Sequence, residues 1–339
     1  MNIINICLIG TGRAGMIHAH NFNGYVPNSK IYAVCDSDKQ KAMQAAKELN
    51  ISVYYDDYKK ALLDNNIHAV YIACPTKFHK EIAIAAANAK KHIFCEKPMA
   101  MNENECEDMI QAAQKNKIKL QIGFMRRFDT SFQEAKKLIQ NGTIGDIVLI
   151  KSHTRGPSKP KEWMYDIDKS NGPLGEVCSH DIDTVRWFAE SEIKNLYAIG
   201  GNFRNKEIQK QYPNFYDNVL LSAEFENGIQ CSIDGAQYVQ YGYDARVEIL
   251  GTKGLICLGD LHEKKILTCT NLHNVKRPTM HSWTYLFREA YIAEDISFIN
   301  SIINNTPVAC NGFDGKMAIK IVKAGNLSIK ENKIINLTY

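Results

Sequence analysis

Residues 95–98, Cys-Glu-Lys-Pro, end the apolar run HIFCE, which has the length and composition of a buried strand. An amine delivered to the carboxyl end of a strand can meet a ligand oxygen, and its charge stabilises an alkoxide forming there. Pro98 fixes the backbone directly after Lys97. The stretch GPLGEVCSHDIDTVRWFAE, 172–190, offers the partner chemistry. Read as one helix with Ile182, Val185, Trp187 and Phe188 on its apolar side, it sets Glu176 and His180 four apart on a common face, with Asp183 three further on. An imidazole flanked by carboxylates suits removal of a hydroxyl proton near neutral pH. The same residues also fit a plainer picture: a surface lysine paired with an acid, and a solvated helix face laced with ion pairs.

Residues 10–15 read GTGRAG, directly after an apolar run and ahead of a helix-like segment. Gly10 permits a tight turn, Gly12 lets backbone amides approach a pyrophosphate, and Gly15 lets helix and strand pack closely. Thr11, Arg13 and Ala14 complete the loop and the first turn, whose N-terminus attracts phosphate. Asp36 lies 21 residues beyond Gly15, at the end of the next apolar run, where a carboxylate meets ribose hydroxyls. It would repel a 2′-phosphate, which favours NAD over NADP, although Lys39 and Lys41 follow closely. The alternative is an ordinary strand–helix turn followed by a solvated aspartate.

These side chains need elements to position them. Up to about residue 122, the apolar runs IINICLIG, KIYAVCD, AVYIAC, HIFCE and KLQIGF alternate with amphipathic segments. Continuous apolar strands between helices imply a parallel sheet covered on both faces. Beyond residue 124 the rhythm changes to NLYAIGGNF, NVLLSAEF, IQCSIDGAQYV, ARVEIL and GLICL, several separated by turn signals such as ENG and GTKG. The expected fold is α/β: an N-terminal doubly wound Rossmann domain over 1–123, then a C-terminal α+β domain over 124–339 with a large, mainly antiparallel sheet. Helical segments are expected near 129–141, 283–304 and 313–330.

Composition narrows the class of protein. With 41 basic and 37 acidic residues among 339, the net charge of +4 is too small to argue for nucleic acid or an anionic membrane. No apolar run is long enough to span a bilayer, and MNIINICLIG lacks the basic start of a signal peptide. The ten cysteines include no C-x-x-C pair, so no metal site is expected and the thiols read as reduced and mostly buried, in a cytoplasmic protein.

Taken together, GTGRAG, CPTKFH at 74–79 and CEKP at 95–98 resemble the Gfo/Idh/MocA oxidoreductases. GFMRRFD at 123–129, HDIDTVRWF at 180–188, YGYDARVEILGTKG at 241–254 and FREAYIAEDISF at 287–298 extend the likeness over the whole chain, toward the inositol dehydrogenase branch. The resemblance implies an NAD(P)-dependent enzyme acting on the hydroxyls of polyols and sugars. It makes Lys97 and His180 the catalytic pair, with Glu176 standing where aspartate is usual. It places Cys74, Pro75, Thr76, His79 and Glu96 at the cofactor, with His79 equally able to be a cap-region residue. Met125 and Arg126 become substrate contacts, one of Arg126 and Arg127 being alternatively a brace. Asp183 becomes a polyol contact or, equally, a surface ion pair. Residues 152–166 form an expected lid carrying Trp163, with His153 and Arg155 as contacts, and Tyr241, near Tyr238 and Tyr243, leans over a ring or packs in the sheet. The resemblance also implies a homodimer or homotetramer formed through the second-domain sheet, and a Lys97–Pro98 bond that is often cis. Two other outcomes stay open: a redox-neutral enzyme using bound NAD for elimination, and a sugar-responsive regulator without chemistry.

Overall fold

The computed structural model describes residues 3–262, 268–269 and 275–339. The chain divides into two compact units, residues 1–128 with 289–319, and residues 129–288 with 320–339.

In the first unit, strands and helices alternate: β1 (Ile4–Ile9), α1 (Arg13–Gly24), β2 (Ser29–Cys35), α2 (Lys39–Glu48), β3 (Val53–Tyr55), α3 (Tyr58–Leu62), β4 (Ala69–Ile72), α4 (His79–Asn88), β5 (His92–Glu96), α5 (Glu103–Asn116) and β6 (Leu120–Gly123). The strands form one parallel sheet in the order β3-β2-β1-β4-β5-β6. The order reverses between β1 and β4, so a crevice opens beyond their carboxyl ends. Central strands are apolar at nearly every position because helices cover both faces; all four residues of β4 are buried. Side-chain caps fix where helices begin: Asp38 accepts from the amides of Gln40 and Lys41, and Asn102 from that of Glu105. The short strand VYY at 53–55 lies outside the five expected apolar runs, since three residues carry no readable period.

The second unit runs α6 (Thr130–Gln140), β7 (Ile147–Gly156), α7 (Ile167–Ser170), α8 (Gly172–Glu176), α9 (Ser179–Ala189), β8 (Ile193–Gly201), β9 (Asn218–Phe225), β10 (Gln230–Gln237), β11 (Asp244–Gly251), β12 (Leu255–Leu258), the two-residue strands β13 (Thr268–Cys269) and β14 (Val275–Lys276), and α10 (Trp283–Leu286). The next helices are α11 (Arg288–Ile303) and α12 (Gly312–Glu331), and β15 (Ile335–Asn336) ends the chain's elements. The large sheet has the order β12-β11-β7-β10-β9-β8-β15 and is antiparallel except where β7 meets β10.

Three features differ from the sequence expectations. Residues 152–156 are not loop: β7 continues through Gly156, with Ser152 and Thr154 buried and Lys151 exposed in strict alternation. The helix expected over 172–190 is two, because the amides of both Val177 and Cys178 bond to the Pro173 carbonyl and widen the turn, while Cys178 packs flat on Gly235 of β10. Finally, residues 289–319 cluster with the first unit, so the later part of the chain is not one continuous domain. Phe298 and Ile299 of α11 join Ile6, Leu8, Phe22, Tyr71 and Phe94 in a single apolar cluster.

Candidate active site

The glycine loop behaves as its spacing predicts. Gly10 sits at φ +98°, and a Cβ there would lie 2.6 Å from the Cys74 nitrogen, so the loops leaving β1 and β4 touch at the switch point. A Cβ on Gly15 would lie 2.2 Å from the Gly10 carbonyl oxygen, which is the close packing of helix on strand. Around Gly12 the protein leaves more than 4 Å of open space. Gly12 caps α1 without a side chain, so the first-turn amides of Arg13 and Ala14 are presented to a ligand phosphate. Asp36 completes the site: Thr11 donates its amide (3.0 Å) and its hydroxyl (2.8 Å) to one carboxylate oxygen, and the Asp38 amide donates to the other (3.1 Å). Partial burial works against the charge, but these donors hold the Asp36 carboxyl below its ordinary range. Lys41 turns its ammonium toward Asp38, 3.7 Å away. The residues present therefore fit a dinucleotide ending in an unphosphorylated ribose.

Cys74, Pro75 and Thr76 leave β4 at the same edge and enter a short 3₁₀ turn at Thr76–Phe78. His79 takes the cap-region position, one of its two expected places. It opens α4 but is only 1% exposed, with Nε2 at 2.8 Å from the Cys74 carbonyl oxygen and Nδ1 at 3.0 Å from that of Pro98. Burial lowers the imidazole pKa. His79 thereby ties the loop after β4 to the loop after β5.

Lys97 leaves the carboxyl end of β5, and its peptide bond to Pro98 is cis. The preceding carboxylate is tied down on both oxygens: Glu96 Oε1 accepts from the Tyr71 hydroxyl (3.0 Å) and lies 3.2 Å from His18 Nε2, while Oε2 accepts the Lys97 amide (3.0 Å). Burial would raise the Glu96 pKa, yet the His18 imidazole, together with the Lys97 charge and the Tyr71 hydroxyl, outweighs it and keeps the group low. Met125 and Arg126, in the 3₁₀ turn after β6, are each 1% exposed. Arg127 is the brace, donating to Asp314 (2.8 Å) and the Ala309 carbonyl (3.4 Å).

In the second unit, Glu176 ends α8 and His180 lies in the first turn of α9, across the break, so they do not share one helical face. Nor is α9 a solvated surface. His180 is 7% exposed, Asp181 0% and Asp183 1%, which excludes a surface ion pair for Asp183. Carboxylates buried this deeply need polar partners, and Asp181 has one in the Ser152 hydroxyl, which donates across 2.5 Å.

Arg155 and Tyr241 fall elsewhere. Ser152, Thr154 and Gly235 face α8 and α9, whereas His153, Arg155 and Asp234 point from the opposite face of the sheet. There Arg155 pairs with Asp234 and Tyr241 donates its hydroxyl to Asp244 (2.9 Å), which also holds His153 (3.2 Å) and Arg246 (2.7 Å). Strand alternation turns Arg155 away from the face on which α9 packs, and Tyr241 follows it through Asp244. Tyr243 is buried in the sheet, and Tyr238 occupies the left-handed region at φ 61° in the turn before β11.

His18, Tyr71 and Asp295 lie outside the residues that motif and spacing single out. The available signal was polarity inside segments that otherwise read as buried: His18 in GMIHAHNF and Asp295 in AYIAEDISF.

Residues 4–124 match the family described as "Oxidoreductase family, NAD-binding Rossmann fold", and residues 132–257 match the "GFO/IDH/MocA C-terminal domain". The chain is similar to the myo-inositol 2-dehydrogenase of Thermotoga maritima, at 30% identity over 98% of each protein. It is also similar to the scyllo-inositol 2-dehydrogenase (NAD(+)) of Bacillus subtilis, at 30% identity over 98% of this chain and 96% of that protein. A solved structure of scyllo-inositol dehydrogenase from Lactobacillus casei, with bound NAD(H) and scyllo-inositol, superposes with a TM-score of 0.90 at 28% identity, covering 99% of both chains. With a glycine loop, an acid held at the end of the second strand and a strand-end lysine in one unit, and such likeness from end to end, the chain belongs to the Gfo/Idh/MocA family of NAD-dependent oxidoreductases.

Proposed function

We propose that this protein oxidises a ring hydroxyl of a cyclitol of the inositol class, or of a closely related sugar, with NAD. One observation carries the reading: Lys97 leaves β5 at the same sheet edge where Gly10 leaves β1 and Cys74 leaves β4. An amine at that edge is placed for a substrate that reacts beside the cofactor. The names of the relatives support the cyclitol class.

When bound, NAD supplies the hydride acceptor. The amides after Gly12 hold its pyrophosphate, and Asp36 accepts from its ribose hydroxyls. His180 takes the proton of the substrate hydroxyl as the carbon–hydrogen bond breaks, its electron pair leaves as hydride, and the carbonyl forms. Lys97 stabilises the negative charge gathering on that oxygen. Glu176, at the end of α8, orients the imidazole, and Asp183 accepts from a neighbouring substrate hydroxyl.

The test follows NADH formation by purified protein with myo-inositol, scyllo-inositol and glucose. Lys97→Ala should lower kcat about a hundredfold or more, with NAD affinity within about threefold of wild type. Glu176→Gln should lower kcat/KM about tenfold. Wild-type turnover by Lys97→Ala, or substrate conversion without net NADH, would refute the assignment.

The proposal includes a cytoplasmic homodimer or homotetramer. Val148, Ile199, Leu220 and Leu250 are 40–57% exposed on strands of the large sheet, more apolar surface than a solvated face needs. Light scattering on the eluting protein reads the assembly directly.

A further inference from the structure

Beneath the lysine lies a cluster of charged groups that the proposed chemistry does not use. His18, 1% exposed on α1, stands between two carboxylates: Nδ1 is 2.7 Å from Asp295 on α11, and Nε2 is 3.2 Å from Glu96 on β5. Asn21, one turn further along α1, donates to the second Asp295 oxygen (3.0 Å). Aromatic rings wall the imidazole in, with the Tyr71 centroid at 4.3 Å, Tyr291 at 5.1 Å and Phe94 at 5.6 Å. Two carboxylates held this close in an apolar surround repel each other and cannot both stay ionised without a cation between them. The imidazolium is that cation. The two carboxylates lift its pKa to about 10 despite burial, which by itself would lower it, while burial also pushes the Asp295 carboxyl up against the pull of His18 and Asn21.

The function of the cluster follows from what Glu96 does next. Its free oxygen accepts the amide of Lys97, so the ionised carboxylate fixes the peptide from which the lysine side chain springs. A protonated Glu96 would be a weaker acceptor for that amide.

We propose that His18 is a positioning residue for Lys97: held by Asp295, it keeps Glu96 ionised, and Glu96 with Tyr71 sets the backbone that aims the lysine at the substrate oxygen. The helix after the glycine loop and the strand-end lysine are thereby set as one piece. A misplacement of about 1 Å at a reacting group can cost about a hundredfold in rate, so a device of this kind acts on turnover far more than on cofactor affinity. The inference rests on the assignment of Lys97 to the substrate oxygen.

The test compares kcat with the NAD dissociation constant in His18→Gln, Tyr71→Phe and the double variant Glu96→Gln/His18→Gln. His18→Gln keeps a polar side chain but no charge, and should lower kcat at least about tenfold with NAD affinity within about threefold. Tyr71→Phe removes one hydroxyl from Glu96 and keeps the ring stack, and should lower kcat about threefold. In the double variant Asp295 is the one carboxylate left of the pair, held by Asn21 with no second charge to repel it, and an amide oxygen still accepts from Lys97. Its kcat should therefore recover several-fold over His18→Gln, or, where the single variant does not fold, the double variant should fold and turn over. Wild-type kcat in both single variants overturns the inference, as does equal loss of kcat and NAD affinity, or a double variant no better than the single. Lys97→Ala separates the two claims. If it retains turnover, the lysine assignment fails; if it is inactive while His18→Gln and Tyr71→Phe turn over normally, only the positioning role fails.

Discussion

At the scale of single residues, cofactor choice rests on one carboxylate and the groups that hold it. Asp36 is aimed by three donors, and two of them come from Thr11 inside the glycine loop. The loop proposed to hold the pyrophosphate therefore also sets the acid proposed to meet the ribose. Hydrogen bonds to a charged group contribute about 1.5–3 kcal/mol each. Asp36→Ser should lower kcat/KM for NAD about tenfold to a hundredfold and raise that for NADP; an unchanged ratio of the two would show that Asp36 does not discriminate. Residues of this kind were legible because Gly10, Asp36 and Lys97 all sit at strand ends, where sequence position and chemistry coincide. Arg155, Tyr241 and His79 were not. Their types suit a substrate or cofactor, but which face of a strand they take, or whether a ring turns inward, depends on pairing partners far along the chain.

At the scale of elements, apolar continuity and period gave most of the architecture, including the parallel sheet and the run of strands from β8 to β12. The misses share a cause. β3 is too short for a period, β7 carries Ser, His, Thr and Arg where apolar residues would announce a strand, and the break between α8 and α9 is made by packing. That packing is testable. A Cβ on Gly235 would lie 2.0 Å from the Cys178 sulfur, so Gly235→Ala overpacks the contact between β10 and the helix break. Overpacking costs about 1–3 kcal/mol. Gly235→Ala should lower the thermal midpoint by several degrees, and adding Cys178→Ala should restore much of the loss. A midpoint equal to wild type in the single variant would mean that the break is set elsewhere.

For the whole molecule, the charge cluster around His18 shapes stability against pH. Its folded-state pKa of about 10 lies above the ordinary 6.5, so the folded state binds the proton more tightly than the unfolded chain. The stabilisation is complete below about 6.5 and is lost as pH rises toward 10. Asp244 has the opposite sign. Burial pushes its carboxyl up, but His153, Arg246 and Tyr241 outweigh that and hold it well below 3.8, so its contribution is present above 3.8 and fades in acid. Thermal melts from pH 6 to 10 should therefore fall more steeply for wild type than for His18→Gln. Parallel curves would mean that His18 is not the charged member of the cluster.

The route of the backbone has a consequence for how such a protein can be divided or inherited. The polypeptide visits the nucleotide half twice, first in residues 1–128 and again in 289–319. A gene cut after Phe128 would transfer an unfinished object: Phe94 would lose Phe298, its edge-on neighbour at 5.5 Å, and His18 would lose Asp295. Recombination could not lend this cofactor half to another protein as a simple prefix, and any viable exchange must carry the late return segment with it.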